Sequence, residues 1–406
     1  MDRGRIRFAV IALSMPIAIG AGLAAQTAGF TDAPTAAADW RARGLELGYN
    51  LDYPAALAAF HAAEAADPED PNAPRLAAAT IWMQILFDQG AVTVDDYLGD
   101  ARATVARPPV PQDNADAFHA EIDRAIALSE AALRRAPDTA EAHFQAGAAY
   151  AVVASYTATV EGRVSGALGP GRRAYQEHAR VLEMDPRRVD AGLVVGLYRC
   201  AIADLSFPKR LMARLAGFTP DREGGLRLIE LAASAHTDNE ANAQFMRILL
   251  YSRAGRFDDA LGVVQVLQAR YPRNRLLWLE EGQAALAAGH TERAKAALEA
   301  GLARVAAETR PLAPGERARW RFAYGSALVA GRQTDDAAAQ LHRALGGAGR
   351  DWLRGRIHRE LGKVADLGAD RVTAIAEYRL ADQLCRADHD TDCVTSVRTL
   401  VRTPYR

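Results

Sequence analysis

Between residues 241 and 298 apolar and small residues recur at helical spacing, and the pattern restarts after about 34 residues. With position 1 at Ala241, Tyr251 stands at 11, Gly255 at 15, Ala260 at 20 and Pro272 at 32. Restarting at Arg275, Trp278 stands at 4, Gly282 at 8, Gly289 at 15 and Ala294 at 20. Apolar residues three and four apart give one buried stripe per helix. Glycine and alanine at fixed offsets let two helices approach closely. The closing proline pushes the residue before it out of helical geometry. The pattern therefore predicts consecutive helical hairpins. The same register opens the chain, with Trp40 at 4, Gly44 at 8, Ala56 at 20, Phe60 at 24, Ala63 at 27 and Pro68 at 32. Trp40, Trp278 and Phe60 are expected between neighbouring helices.

Further units use Ala125, Ser129, Ala132 and Pro137; then His143, Gly147 and Tyr150 with Ala174, His178, Val181 and Pro186. The last two use Gly325, Gly331, Ala337, Leu341 and Ala344, then Gly362, Gly368, Ala374, Tyr378 and Ala381. The period and residue types resemble the tetratricopeptide repeat. That resemblance implies an all-α, TPR-like α-solenoid, a superhelix of about seven or eight hairpins over residues 39–406. Three stretches break the register: 88–116, with room for at most one short helix, 155–169 and 203–221. Long insertions in solenoids project from one face or lie in the groove.

Around the last insertion, Phe207-Pro208-Lys209, Gly217-Phe218 and Asp221-Arg222 with Gly225-Leu226 precede Tyr271-Pro272, Leu279 and Gly282. This order is similar to the tetratricopeptide repeat protein 39 family, which includes yeast inclusion-body clearance proteins. The likeness spans about residues 201–297 and implies no catalytic residue.

Composition supports helices: half the residues are hydrophobic but only 7% are aromatic. Obvious β-branched alternation is absent. A net charge of −1 gives no bulk field for nucleic acid. At the start, Arg3, Arg5 and Arg7 precede an apolar run ending in small residues, the form of a secretory signal over 1–25. Cleavage after Ala24, Ala25 or Ala28 fits, and a linker over 26–38 follows. The mature chain is then periplasmic or secreted, with no membrane span. The alternative is an anchor left uncleaved at 8–25, at the lower limit of spanning length.

Cys385 and Cys393 are expected to pair in an oxidising compartment, the alternative being two separate thiols; Cys200 reads as buried packing. Asp388, Asp390 and Asp392 alternate like the start of a calcium loop, but glycine and the closing glutamate are missing. The nine histidines show no ligand spacing, so no metal is expected. Gly169-Pro170-Gly171 reads as a turn entering a helix. No catalytic constellation and no cofactor motif stands out.

First helices of such repeats line the groove through positions 2, 5, 9 and 12. Those positions include Phe144; Asn242 and Phe245; Gln283; Arg319 and Phe322; and Arg356, Arg359 and Lys363. The middle is apolar and one end basic, suited to an extended peptide with a carboxylate; a solvated arginine face is the alternative. The expected function is an exported, non-catalytic scaffold or adaptor binding a protein or peptide partner. The other class is a binder of a small or lipid-like ligand in a pocket covered by the insertions at 155–169 and 203–221.

Overall fold

The structure, a computed structural model, describes residues 33–91, 93–98, 108–215, 217–235, 237, 239–347, 349 and 351–406. The expected signal segment, most of the linker and residues 99–107 lie outside this set. Every regular element among the described residues is helical. No described helix is long and apolar enough to cross a membrane.

The chain divides into two units. The first comprises residues up to 86 and 108–250; the second comprises 87–107 and 251–406. The first unit contains α1 (Ala33–Tyr49), α2 (Tyr53–Ala66), most of α3 (Asn72–Asp88), α5 (Gln112–Arg135), α6 (Ala140–Thr159), α7 (Leu168–Met184), α8 (Gly192–Ala203), α9 (Phe207–Leu215), α10 (Arg222–Ala232) and most of α11 (Glu240–Arg253). The second contains the short α4 (Asp95–Leu98), then α12 (Phe257–Arg270), α13 (Leu276–Ala287), α14 (Thr291–Ala307), α15 (Glu316–Ala330), α16 (Thr334–Leu345), α17 (Asp351–Leu367), α18 (Arg371–Ala387) and α19 (Thr391–Arg402). From α12 onward each helix packs on its successor, and α15 also packs on α13 and on α17. That is how first helices stack in a solenoid.

One contact recurs at constant spacing. A methyl group added to Gly44 would meet the Phe60 ring; on Gly282 it would meet Leu298, on Gly325 Leu341 and on Gly362 Tyr378. Each pair joins position 8 to position 24, sixteen residues on. In the hairpin of α6 and α7, Gly147 meets His178 in the same way across the longer connection. The small residue removes the volume that the large one fills, so the two helices interlock at close range. The turns share a register too. Leu51, Gly255, Gly289, Arg332 and Ala369, all at position 15, have positive φ.

Several expectations change. Helix α1 begins at Ala33, inside the expected linker, because Pro34 suits a first turn and Ala37 is fully buried. Phe60 is buried, but Trp40 is 47% exposed; among the described residues no hairpin precedes it to cover that face. Trp278 is half-buried, with the Arg304 guanidinium 4.0 Å above its ring. Of the insertion at 155–169, the first five residues extend α6, where Thr159 Oγ1 accepts a 2.9 Å bond from Trp82 Nε1, the last two begin α7, and 160–167 connect the two helices. Residues Phe207–Leu215 of the 203–221 insertion form helix α9, and 88–116 contains α4 and the start of α5.

Cys385 and Cys393 form a disulfide, with their Cα atoms 6.0 Å apart. Both are buried, and they tie α18 to α19. Cys200 is a buried free thiol.

Candidate functional site

In the second unit, positions 2, 5 and 9 of α13, α15 and α17 share one face, because successive first helices stack in parallel register. A cavity of about 460 Å³ opens there, lined among others by Gln283, Phe322, Ser326, Arg356, Arg359 and Lys363. Phe257, Leu286 and Val329 give it an apolar wall, and Tyr405 from the C-terminus lines it as well.

Its floor comes from the insertion at 88–116. Arg319 Nη1 and Nη2 each donate a 2.8 Å bond to a carboxylate oxygen of Asp96. Arg319 also donates to Thr93 Oγ1 and to the Gly90 carbonyl. Beside it, Arg356 Nε donates to Asp390 at 2.6 Å, and its Nη1 donates to Asp95 at 3.2 Å. The guanidinium groups of Arg319 and Arg356 lie 5.1 and 5.5 Å from the Trp352 ring centre. The Val94 amide donates at 2.8 Å to Glu280 Oε1. An acid-containing turn of the chain, residues 93–97, is thus seated against the inner helices of the second unit.

The ionisation of these groups follows their surroundings. Burial opposes the Asp96 carboxylate, but the charge and hydrogen bonds of Arg319 outweigh it and hold the pKa below the usual range. Glu280 has no comparable direct partner, and burial pushes it up to about 8. Glu360 is buried as well; Lys363 and Arg359 outweigh the burial and lower its pKa. Lys363 Nζ stands 2.9 Å from Glu360 Oε1 and 5.1 Å from the Tyr405 ring centre. The lining therefore sets Arg356, Arg359 and Lys363 against Asp95 and Glu360, while burial favours the neutral form of Glu280.

The structure brings together Gln283, Phe322, Arg356, Arg359 and Lys363 from the sequence-derived set, with Arg319 beneath them. The basic end is not an uncompensated cationic face: carboxylates at 95, 96, 360 and 390 pair with its cations. The remaining three residues lie in the first unit and do not join this site. Phe144 is fully buried; its ring sits 5.3 Å from His178, with Arg188 4.4 Å above it. It is hairpin core, because the small residues around it draw α7 close. Asn242 is buried and accepts a 2.7 Å bond from the Tyr49 hydroxyl. Phe245 stacks on Tyr49 with ring centres 6.0 Å apart.

Asp95, Asp96, Glu280, Glu360 and Tyr405 were not in the sequence-derived set. Glu280 and Glu281 inside the apolar helix LLWLEEGQAALA were the one local signal. The aspartates of the would-be calcium loop serve the fold: Asp390 binds Arg356 and caps α19, and Asp388 accepts from the Trp352 amide at 2.8 Å.

No protein-family model matches the chain, and no curated protein matches it, so the likeness of 201–297 to the tetratricopeptide repeat protein 39 family gains no support. Solved structures similar to the chain include a tetratricopeptide repeat protein from Parabacteroides merdae, at 14% identity and TM-score 0.30, covering 79% of this chain and 97% of that one. Yeast Tom70 is similar at 9% identity and TM-score 0.38, covering 89% and 95%. A monomeric mutant of IFIT1 with Gppp-AAAA is similar at 13% identity and TM-score 0.44, covering 99% and 88%. By the packing of its own positions 8 and 24, the chain is an all-α solenoid of tetratricopeptide-like hairpins.

Proposed function

We propose that the chain is an exported, non-catalytic binding module that takes a segment of a partner protein on the inner face of its second unit. The observation that carries this reading is residues 93–97, already held on that face. Two carboxylates meet two arginines, and one backbone amide meets Glu280. The same surface therefore offers what an extended peptide needs: charged anchors, a backbone acceptor and apolar walls. The favoured partner segment joins a carboxylate, facing Arg359 and Lys363, to an apolar side chain against Phe322. Export is supported by the buried disulfide, a bond that persists in oxidising compartments.

The test is selection of displayed random peptides on the chain spanning residues 26–406, with binding measured by fluorescence polarisation. Selected peptides should carry Asp, Glu or a free C-terminus beside an apolar residue. Lys363→Glu and Phe322→Glu should each weaken them about tenfold or more. Peptides that bind both variants as well as the parent would overturn the reading.

A further inference from the structure

Helix α9 is amphipathic in the inverted sense. Phe207, Leu211, Met212 and Leu215 fall on one arc of the helix and are 70%, 48%, 70% and 80% exposed. Arg210 and Ala213, on the opposite arc, are half-buried, and Lys209 and Arg214 flank the apolar arc on its two sides. Arg210 donates to the Ala203 carbonyl at 3.1 Å, which turns the polar side inward. The apolar arc consequently faces solvent on a helix with no buried residue.

The helix is also firmly mounted. Phe218, just beyond it, stacks on Tyr198 with ring centres 5.5 Å apart and lies 5.1 Å from Tyr175. Arg222 pairs with Asp204 across the two ends of the insertion. The Asp221 amide donates to the Arg199 carbonyl at 3.3 Å. A stem closed in this way holds the four apolar side chains outward rather than letting them collapse onto the first unit.

Charge identifies the occupant. Residues 205–220 contain Lys209, Arg210 and Arg214 and no acid. Apolar side chains bordered by cations on a short exposed helix match the boundary of an anionic bilayer, where headgroup phosphates lie just outside the acyl region. We propose that α9 docks the protein on an anionic phospholipid surface, with Phe207, Leu211, Met212 and Leu215 entering the acyl boundary and Lys209 and Arg214 meeting the phosphates. This site lies in the first unit and does not depend on the peptide reading of the second.

The experiment is flotation of residues 26–406, which include all nineteen described helices, with vesicles. One set is phosphatidylcholine with an equal part of phosphatidylglycerol, the other phosphatidylcholine alone. The chain should float with the first at least about fivefold more than with the second. Leu211→Glu with Met212→Glu should reduce flotation about tenfold, as should Lys209→Glu with Arg214→Glu. Neither pair should move the thermal midpoint, since no α9 side chain is buried. Equal flotation of parent and variants would overturn the proposal. So would no flotation together with a self-association that the Leu211 and Met212 changes abolish, because the occupant would then be a second copy of the chain.

Discussion

Asp96 and Arg319 lie 223 residues apart and meet through two parallel hydrogen bonds, each 2.8 Å long, both side chains being buried. A planar guanidinium and a carboxylate match in this geometry. The pairing fixes where the insertion lies and so gives the inner face its floor.

Glu280 makes stability depend on pH in a defined direction. Its pKa rises from an ordinary 4.5 to about 8 in the fold. Between those values the unfolded chain releases a proton that the folded chain keeps, so stability falls as pH rises. The slope from this group approaches about 1.4 kcal/mol per pH unit in mid-window. Glu280→Gln keeps an acceptor for the Val94 amide and removes the titration. Urea denaturation at pH 5, 6.5 and 8 should show the variant gaining on the parent as pH rises. Parallel curves would contradict the assignment.

The position 8 and 24 contact gives a steric prediction. A Cβ on Gly282 would lie 2.3 Å from Leu298 Cγ, so Gly282→Ala should cost about 1–3 kcal/mol through overpacking. Adding Leu298→Ala should relieve that clash, so the two losses should not sum. A double-mutant comparison by chemical denaturation checks it; simple additivity would contradict the interlock.

At position 15 the backbone is left-handed whichever residue stands there. Ala369 has φ 61° and Gly289 has φ 82°. Ala369→Gly should stabilise the chain by about 0.5–1 kcal/mol, the left-handed penalty being partly offset by the entropy glycine loses. Gly289→Ala should destabilise it by a similar amount, with no atom within 4 Å to confuse the effect. Opposite signs in thermal denaturation are the expected outcome.

The disulfide closes a short loop, with a sequence separation of 8. Chain entropy for such a loop gives about 2.5 kcal/mol. Reduction under native conditions should therefore lower the denaturation midpoint, and Cys385→Ala with Cys393→Ala should reproduce the shift. Alkylation of the native chain without reductant should label neither thiol.

Hairpin register was legible because it depends on residues within one repeat: Gly282 with Leu298, Gly362 with Tyr378. The inner-face positions were legible for the same reason, since Gln283, Phe322, Arg356, Arg359 and Lys363 follow from counting. Their electrostatics were not. Asp96 and Asp95, which meet Arg319 and Arg356, come from an insertion more than two hundred residues away, and nothing local to α15 or α17 announces them. In the last two hairpins the positive φ falls on Arg332 and Ala369, one residue beyond Gly331 and Gly368, which the glycine positions alone do not announce. The same counting places Phe144 and Asn242 in the groove, but both are buried, Phe144 beside His178 and under Arg188, Asn242 against the Tyr49 hydroxyl.

The most direct test is a double-mutant cycle on Asp96 and Arg319, using Asp96→Asn and Arg319→Met, read by chemical denaturation of residues 26–406. Each single change leaves a buried group without its partner and should cost about 3–5 kcal/mol. The coupling should reach about 3 kcal/mol if residues 93–97 are seated on the inner face of the second unit. A coupling within about 0.5 kcal/mol of zero, as for independent sites, would contradict it.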